Sequence, residues 1–422
     1  MDKICVIGCG FVGLTFGVHA ASKGYEVLGV EKRSEVVEKL NSGQPHFFEL
    51  GLEGLLKNLY PQKIRFTSKI SAGHNIYVIT VGTPFIGNTI DTSNIFKVID
   101  ELNAECLTED SLVILRSTVG IGITRQVFER VKDSGAMVAF CPERTIEGKA
   151  LDELENLPQI VSGCCPRALE HAFQFFSTIT KVVIKVSSTQ SAEMVKLLNN
   201  SQRDTYFALA NEVAMLCDAF RLDAYEVINA ATTGYGRSSI FKPGLVGGPC
   251  LEKDPHILAE SAQKTGSSAA LIKAGRMVNE SVVPHAVSKL RMHLQIGSVE
   301  RVLVCGAAFK GHPATDDLRG SLVFPLIAQL RELLGPGAEI TVWDAEVAEH
   351  DLTQAGLQSA GDLFAEIDGA DLVVIQNNHR FFSNDAFKAA LEKRDPVVYD
   401  FWHNLPNEMK LTKYMGLGFG NV

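Results

Sequence analysis

Short, nearly continuous apolar runs alternate with longer mixed segments over the first part of the chain. "ICVIG", "EVLGVE", "IYVITVG", "SLVILRST" and "MVAFCP" are each bounded by Gly, Pro or polar residues. Runs of this length without polar alternation predict strands buried on both faces of a parallel sheet. The segments between them leave room for right-handed helical crossovers, so a doubly wound α/β domain is expected through about residue 185. From Ser188 the period changes. "STQSAEMVKLLNNSQRDTYFALANEVAMLCDAF" has neither Gly nor Pro and keeps apolar residues at helical spacing. It predicts one long helix, with helical character reaching about Ala230, that opens a helical middle domain. Its apolar stripe is expected to pack as intrachain core, a dimer face being the alternative. After Ser298 a second alternating series begins with "RVLVCGAAF", "EITVWD", "ADLVVIQN" and "PVVYDFW". The expected fold class is therefore α/β: an α/β domain over 1–187, a helical domain over 188–297 and a smaller α/β domain over 298–422.

The length of 422 residues fits such a division, and a hydrophobic content of 46% supports substantial cores. A formal charge of −9 argues against nucleic acid as a partner. No apolar run approaches bilayer length, and the apolar N-terminus lacks a basic region and cleavage site, so no membrane attachment is expected. Nine cysteines, scattered and odd in number, fit a reducing cytoplasm better than a disulfide framework or a metal site.

The first strand runs into "IGCGFVG", where Gly8, Gly10 and Gly13 stand in GxGxxG spacing around Phe11 and Val12. Such glycines permit a tight turn, close approach of backbone to a pyrophosphate, and close packing of helix on strand. The anion then sits at a helix N-terminus. Glu31, at the end of the second strand, is placed to accept from ribose hydroxyls and to repel a 2′-phosphate. The expected cofactor is NAD in a Rossmann-like domain, although Lys32 and Arg33 offset part of that repulsion.

"VGTP" and "STV" end two further strands, so Thr83 and Thr118 either offer hydroxyls to a ligand or cap helices. Lys196 and Asn200, one helical turn apart, either hold an oxyanion or lie on a solvated or paired face. Glu143 and Glu147 in "CPERTIEGKALDEL" follow the end of a strand and precede helix-forming sequence, where helix N-terminal charge or capping is a fair reading. In "PGLVGGPCLEKDP", Cys250 lies between a glycine-rich turn and Lys253-Asp254. A thiolate held there is a candidate nucleophile.

Taken together, "IGCGFVG", "VGTP", "STV", "PERTIEG", "EMVKLLNNS", "GGPCLEKD" and "AAFKGHPATDDLRGS" resemble the UDP-glucose/GDP-mannose dehydrogenase family over nearly the whole chain. The resemblance implies oxidation of the C6 hydroxymethyl of a nucleotide sugar to a carboxylate with two NAD in succession. It implies that Cys250 is the nucleophile, and that Lys196 and Asn200 stabilise the C6 oxyanion. Asp254 serves water activation or positions Lys196, while Thr118 and Glu147 hold water or act as base. Cofactor contacts fall to Gly8, Gly10, Phe11, Val12, Gly13, Glu31, Thr83, Thr118, Lys253 and Arg319. Substrate contacts fall to Glu143, Arg144, Lys196, Asn200, Arg237, Phe241, Gly247 and Lys310. The 1–187 domain would bind NAD, 188–297 would carry the cysteine loop and the dimer contacts, and 298–422 would bind the nucleotide sugar. Arg237 would reach a partner subunit's substrate, which implies a homodimer or higher homo-oligomer.

Arg144 stands where UDP-glucose enzymes have Phe, and "PER" is more usual in enzymes of N-acetylated sugars. The loop "PGLVGGPC" is one residue short and Pro249 is unusual, while "NNHRFF" (Asn377 to Phe382) replaces a Thr-x-Trp stretch. The expected substrate is UDP-N-acetylglucosamine or UDP-N-acetylmannosamine, leading to polysaccharide biosynthesis, ahead of UDP-glucose and GDP-mannose. A two-electron β-hydroxyacid dehydrogenase would need neither Cys250 nor the third domain, and an NAD-binding sensor would need no catalytic set.

Overall fold

The computed structural model describes residues 2–87, 89–406 and 409–419. The last three residues of the expected 298–422 domain lie outside these. The chain forms two compact units, Met1–Asn199 with His256–Ser268, and Asn200–Pro255 with Ala269–Val422.

In the first unit, β1 (Lys3–Ile7), α1 (Phe11–Ser22) and β2 (Glu26–Val30) open the sheet, followed by α2 (Ser34–Asn41), α3 (Leu52–Leu59), β3 (Ile64–Thr67) and β4 (Ile76–Ile79). A small hairpin, β5 (Phe85–Ile86) and β6 (Thr89–Ile90), precedes α4 (Ser93–Glu105), β7 (Leu112–Leu115), α5 (Ile123–Val131) and β8 (Met137–Phe140). Then come α6 (Ala150–Asn156), β9 (Gln159–Gly163), α7 (Pro166–Phe176) and β10 (Val183–Lys185). The eight-stranded sheet has the order β10-β9-β8-β7-β4-β1-β2-β3. It is parallel except for the antiparallel β8–β9 pair. Alternate residues of one strand serve two cores: Ile4 and Val6 pack into one, Cys5 and Ile7 into the other. Helices cover both faces, which is why the strands read as unbroken apolar runs.

Helix α8 (Thr189–Phe220) begins in this unit and continues into the second. It ends where Arg221 adopts a left-handed φ of 58°. Asp223 then caps α9 (Ala224–Thr232) by accepting from the Tyr225 and Glu226 amides. After α10 (Asp254–Gln263) and α11 (Ala270–His293) the second sheet begins. Its elements are β11 (Arg301–Cys305), α12 (Val323–Leu334), β12 (Glu339–Trp343), α13 (Glu349–Gln354), α14 (Leu363–Gly369) and β13 (Leu372–Ile375), then α15 (Asp385–Arg394), β14 (Val397–Asp400) and β15 (Tyr414–Gly416). This parallel sheet has the order β12-β11-β13-β14-β15. Both sheets thus start in their interior and step outward in opposite directions, which creates a crevice at the carboxyl ends of β1 and β4 and another at those of β11 and β13.

On α8, part of the apolar stripe packs as core, with Leu197, Ala214 and Cys217 buried, and part does not. Tyr206, Leu209, Leu216 and Phe220 are 42–71% exposed in the single chain, while small residues such as Ala210 and Ala214 face the core. The end of the chain is pinned by Lys289 of α11. Its buried ammonium donates to Asp218 Oδ1 at 2.6 Å and to the carbonyls of Gly416 and Phe419 at 3.0 and 2.8 Å. Breaking a buried pair leaves an uncompensated charge. Lys289→Met should therefore destabilise the protein by about 3 kcal/mol, the low end for such a loss because His285 also holds Asp218. Equilibrium denaturation of the variant checks this.

Candidate active site

The dinucleotide loop is built by three different demands on glycine. Gly8 has φ +95° and donates to Val30 O at 2.8 Å, which turns the chain at the end of β1. A Cβ on Gly13 would lie 1.9 Å from Gly8 O. A Cβ on Gly10 would meet nothing within 4 Å, so the backbone there is open to a ligand. Gly10 precedes α1, whose first amides receive no side-chain cap. Uncapped amides and the helix dipole together suit a diphosphate. Glu31 is buried at the end of β2 and accepts from the Arg33 amide at 3.2 Å and its guanidinium at 3.0 Å. Burial pushes this carboxyl up, but the hydrogen bonds and charge of Arg33 hold it below the usual carboxylate range. Both carboxylate oxygens are thus engaged by Arg33, and the residues of the glycine turn fit a dinucleotide.

The loops after β4 and β7 are laced together. Thr83 donates to Thr118 O at 2.7 Å, and Ser117 donates to Val81 O at 2.7 Å. Neither threonine caps a helix, since Thr92 and Gly122 precede α4 and α5. Glu143 is buried, accepts from the Thr145 amide, and lies 3.9 Å from Lys196 Nζ. Glu147 is half-buried in the same loop, and the acids in the first turn of α6 are Asp152 and Glu153 instead. The flanking Gly148 and Ala150 amides donate to buried Glu49 at 2.6 and 2.8 Å, which fixes this loop. Arg144 donates to the Pro158 carbonyl and, at 3.4 Å, to Asn199 Oδ1.

Cys250 occupies the turn that leads into α10, and its carbonyl accepts from the Lys253 and Asp254 amides. Asp254 is fully buried and accepts from Asn200 Nδ2 at 2.6 Å. Gly248, with φ +93°, donates to Gly320 O at 2.8 Å, and a Cβ there would strike the Phe309 ring. A Cβ on Gly247 would lie 2.3 Å from Gly320 O. The cysteine loop therefore lies backbone to backbone against the segment that carries Lys310 and Arg319. Lys310 is half-buried over the Phe309 ring, and exposed Arg319 pairs with Asp317 at 2.6 Å. Asn378, in the unusual "NNHRFF" stretch, accepts from the Gly311 and His312 amides at 3.0 Å and so supports the Lys310 segment. Phe241 packs edge-on between Tyr206 and Phe207. Arg237 is exposed over the Tyr235 ring.

Cys250 is the exposed thiol among the nine cysteines. Burial pushes Cys5, Cys141 and Cys164 up to about 12, and it also raises Cys9, Cys106, Cys217 and Cys305. Thiols so placed are poor nucleophiles.

Three profiles of one family match the chain: its NAD-binding domain over residues 2–196, its central domain over 190–281 and its UDP-binding domain over 303–407. The chain belongs to the UDP-glucose/GDP-mannose dehydrogenase family. It is an NAD-dependent nucleotide-sugar dehydrogenase. It is 32% identical to the UDP-N-acetyl-D-mannosamine dehydrogenase of Pyrococcus horikoshii over 100% of both chains, and superposes on that enzyme's structure with a TM-score of 0.88. It is 30% identical to the NDP-N-acetyl-D-galactosaminuronic acid dehydrogenase of Ralstonia nicotianae, over 90% of this chain and 91% of the relative. A UDP-glucose dehydrogenase structure from Pyrobaculum islandicum, 27% identical, has a TM-score of 0.87 over 99% of this chain and 98% of its own.

The second sheet repeats the turn of the first but not its uncapped amides. Gly306 repeats the Gly8 turn, with φ +97° and a 2.7 Å bond to Trp343 O. Yet the next amides, of Ala307 and Ala308, already donate to Asp344 at 2.6 and 3.0 Å. Asp344 follows β12 as Glu31 follows β2, and it closes the anion site that the first unit leaves open.

Gly13→Ala should disrupt the turn and lower thermal stability, whereas Gly10→Ala should keep the melting temperature and weaken NAD binding about tenfold or more. Calorimetric binding beside thermal melts separates the two. His46 packs edge-on to Phe47, which in turn contacts Phe11 of α1. Burial, then the charge of Arg33, holds its imidazole down at about 4. The folded state thus resists protonation, and stability is lost as pH falls from about 6.5 through about 4. His46→Gln should flatten that part of the stability–pH curve.

Proposed function

We propose that this protein oxidises the C6 hydroxymethyl of a UDP-N-acetylhexosamine, UDP-N-acetylmannosamine or UDP-N-acetylglucosamine, to the uronate for polysaccharide biosynthesis. The observation that carries this reading is the single exposed thiol, Cys250, on a loop bound into the same unit as the family's UDP-binding domain. NAD, when bound, accepts hydride from C6 in each of two oxidations. The first converts the alcohol to the aldehyde and releases a proton. Lys196 Nζ, an ammonium beside Glu143, suits the developing oxyanion, as does the amide of Asn200, whose orientation Asp254 fixes. The Cys250 thiolate then adds to the aldehyde carbon: a C–S bond forms, the carbonyl π bond breaks, and the oxygen takes the charge. This tetrahedral thiohemiacetal is the form that can lose a second hydride, leaving a thioester. Water attacks that carbonyl, the C–S bond breaks, and carboxylate and thiol are released. Glu147 and Thr118 are the groups assigned to that water. Overall, one alcohol, two NAD and one water give one carboxylate, two NADH and three protons.

The names of the relatives support an N-acetylated sugar, and Arg144 in "PER" agrees. We assign residues 1–187 to NAD, 188–297 to the cysteine loop and dimer contacts, and 298–422 to the UDP-sugar, in keeping with the three profiles. The exposed apolar face of α8 supports a homodimer, with Arg237 reaching the partner's substrate. Nine free thiols suit the cytoplasm.

Cys250→Ser should lower uronate formation about a thousandfold or more while NAD binding survives. Uronate at the wild-type rate would remove covalent catalysis from the scheme. A panel of UDP- and GDP-sugars, scored by NADH per sugar, should give a ratio of two and the highest kcat/KM with a UDP-N-acetylhexosamine. A preference for UDP-glucose would overturn the sugar assignment.

A further inference from the structure

The cysteine loop is held by a buried polar cluster. Arg276 of α11 is 3% exposed, and Asp204 of α8 is 1% exposed. The guanidinium Nη1 donates to Asp204 Oδ1 at 2.7 Å and to Leu251 O at 3.0 Å, while Nη2 donates to Val246 O at 3.1 Å. The two carbonyls lie on either side of Cys250 in the chain. One helical turn along α11, Asn279 donates to Asp204 Oδ1 at 2.9 Å and accepts from Asn211 Nδ2 at 2.9 Å. Asn211 in turn accepts from the Gly244 amide at 2.8 Å. The start, middle and far side of the loop are therefore tied to one cluster, at whose centre the two terminal nitrogens of Arg276 bridge Asp204 and two loop carbonyls.

We infer that Arg276 is a positioning residue for the second oxidation: it holds the Cys250 backbone where the thiol meets the aldehyde carbon. This rests on the covalent reading given above and deepens it. The two oxidations differ in their tolerance of a displaced loop. The first hydride transfer acts on an alcohol and needs no sulfur, so it survives a small shift of the loop. Forming the C–S bond requires near-attack geometry, in which a displacement of about 1 Å costs on the order of a hundredfold in rate. A guanidinium fits this task because its rigid fork serves the Asp204 carboxylate and two carbonyls at once, which a lysine ammonium on a flexible stem does not reproduce.

Arg276→Lys retains the charge that Asp204 needs and loses the fork. The double variant Asp204→Asn/Arg276→Gln removes both charges, so that no buried carboxylate is stranded if the single variant folds poorly. Each is assayed as the intact chain with the preferred UDP-sugar and NAD, with circular dichroism and NAD titration as checks on the fold. The expected result is a fall in NADH per sugar from two toward one, with aldehyde captured by semicarbazide and the aldehyde-to-uronate step slowed about ten- to a hundredfold. The first oxidation and the NAD Kd should stay within about twofold of wild type. Slower alkylation of Cys250 by iodoacetamide in either variant, with its pH profile moved, would support the same conclusion. Folded variants that still give two NADH per sugar at the wild-type rate would overturn the assignment, as would equal slowing of both oxidations. Failure of the covalent reading itself shows elsewhere, in wild-type protein that makes one NADH per sugar or in a Cys250→Ser variant that makes uronate normally.

Discussion

Along the buried side of α8 run Glu193, Lys196, Asn200, Asp204, Asn211 and Asp218, at helical spacings, and each is committed to a different part of the fold. Glu193 accepts from the Gly122 and Thr124 amides at 2.6 and 2.8 Å, and thereby caps α5 from outside. Lys196 lies beside Glu143, Asn200 donates to Asp254, Asp204 pairs with Arg276, Asn211 accepts from Gly244, and Asp218 pairs with Lys289. Polar groups taken out of water cost free energy unless each finds its partners. An α8 turned or slid by one residue would strand most of them together. This constraint fixes the rotation and register of the helix more sharply than an apolar face does, because apolar packing tolerates slippage and unsatisfied charge does not. Within each unit, the segments that carry chemistry are those the seam holds.

The two sheets show how one fold is directed to two ligands. Both begin with a strand and a left-handed glycine, and both place an acid after the next strand. In the first, Glu31 is engaged by Arg33, and the amides at the start of α1 have no side-chain cap. In the second, Asp344 reaches the amides itself, and Asn377 adds a bond to Ala308 O at 3.3 Å. That internal carboxylate commits the amides of this turn within the protein.

Much of this fold is legible in the residues. The strands β1, β2, β4, β7, β8, β11, β13 and β14 lie inside their sheets and announce themselves as largely apolar runs, while the edge strand β12 is read from "EITVW". The strands that escape notice, β3, β9, β10 and β15, lie at or near sheet edges, where β10 is mostly exposed and β3 alternates. The end of α8 carries neither Gly nor Pro, so the left-handed Arg221 has no local signal. In the site, glycine spacing and the Cys250 motif are local and readable. The cluster around Arg276 is not, since its members stand 72 residues apart in sequence and look like ordinary helix-surface polar residues until the helices meet. The apolar residues of α8 divide between core and surface, because periodicity gives a face but not what covers it.

What selects Cys250 from nine cysteines is a division of labour within one loop. The backbone of residues 243–251 is immobilised by Asn211, Arg276 and Gly320, while the thiol of Cys250 is left exposed. A nucleophile needs both properties. Exposure gives an electrophile access to the sulfur, which the buried thiols do not allow. Immobility alone gives the geometry of attack without a reactive group. The glycines reconcile the two, because Gly247 and Gly248 let the loop lie against Gly320 and Phe309 with no side chain between them. Pro249 extends that logic, since its fixed φ narrows the conformations open to the residue before Cys250, the proposed nucleophile. The loop thus gains rigidity from its own residues and position from a buried arginine on another helix.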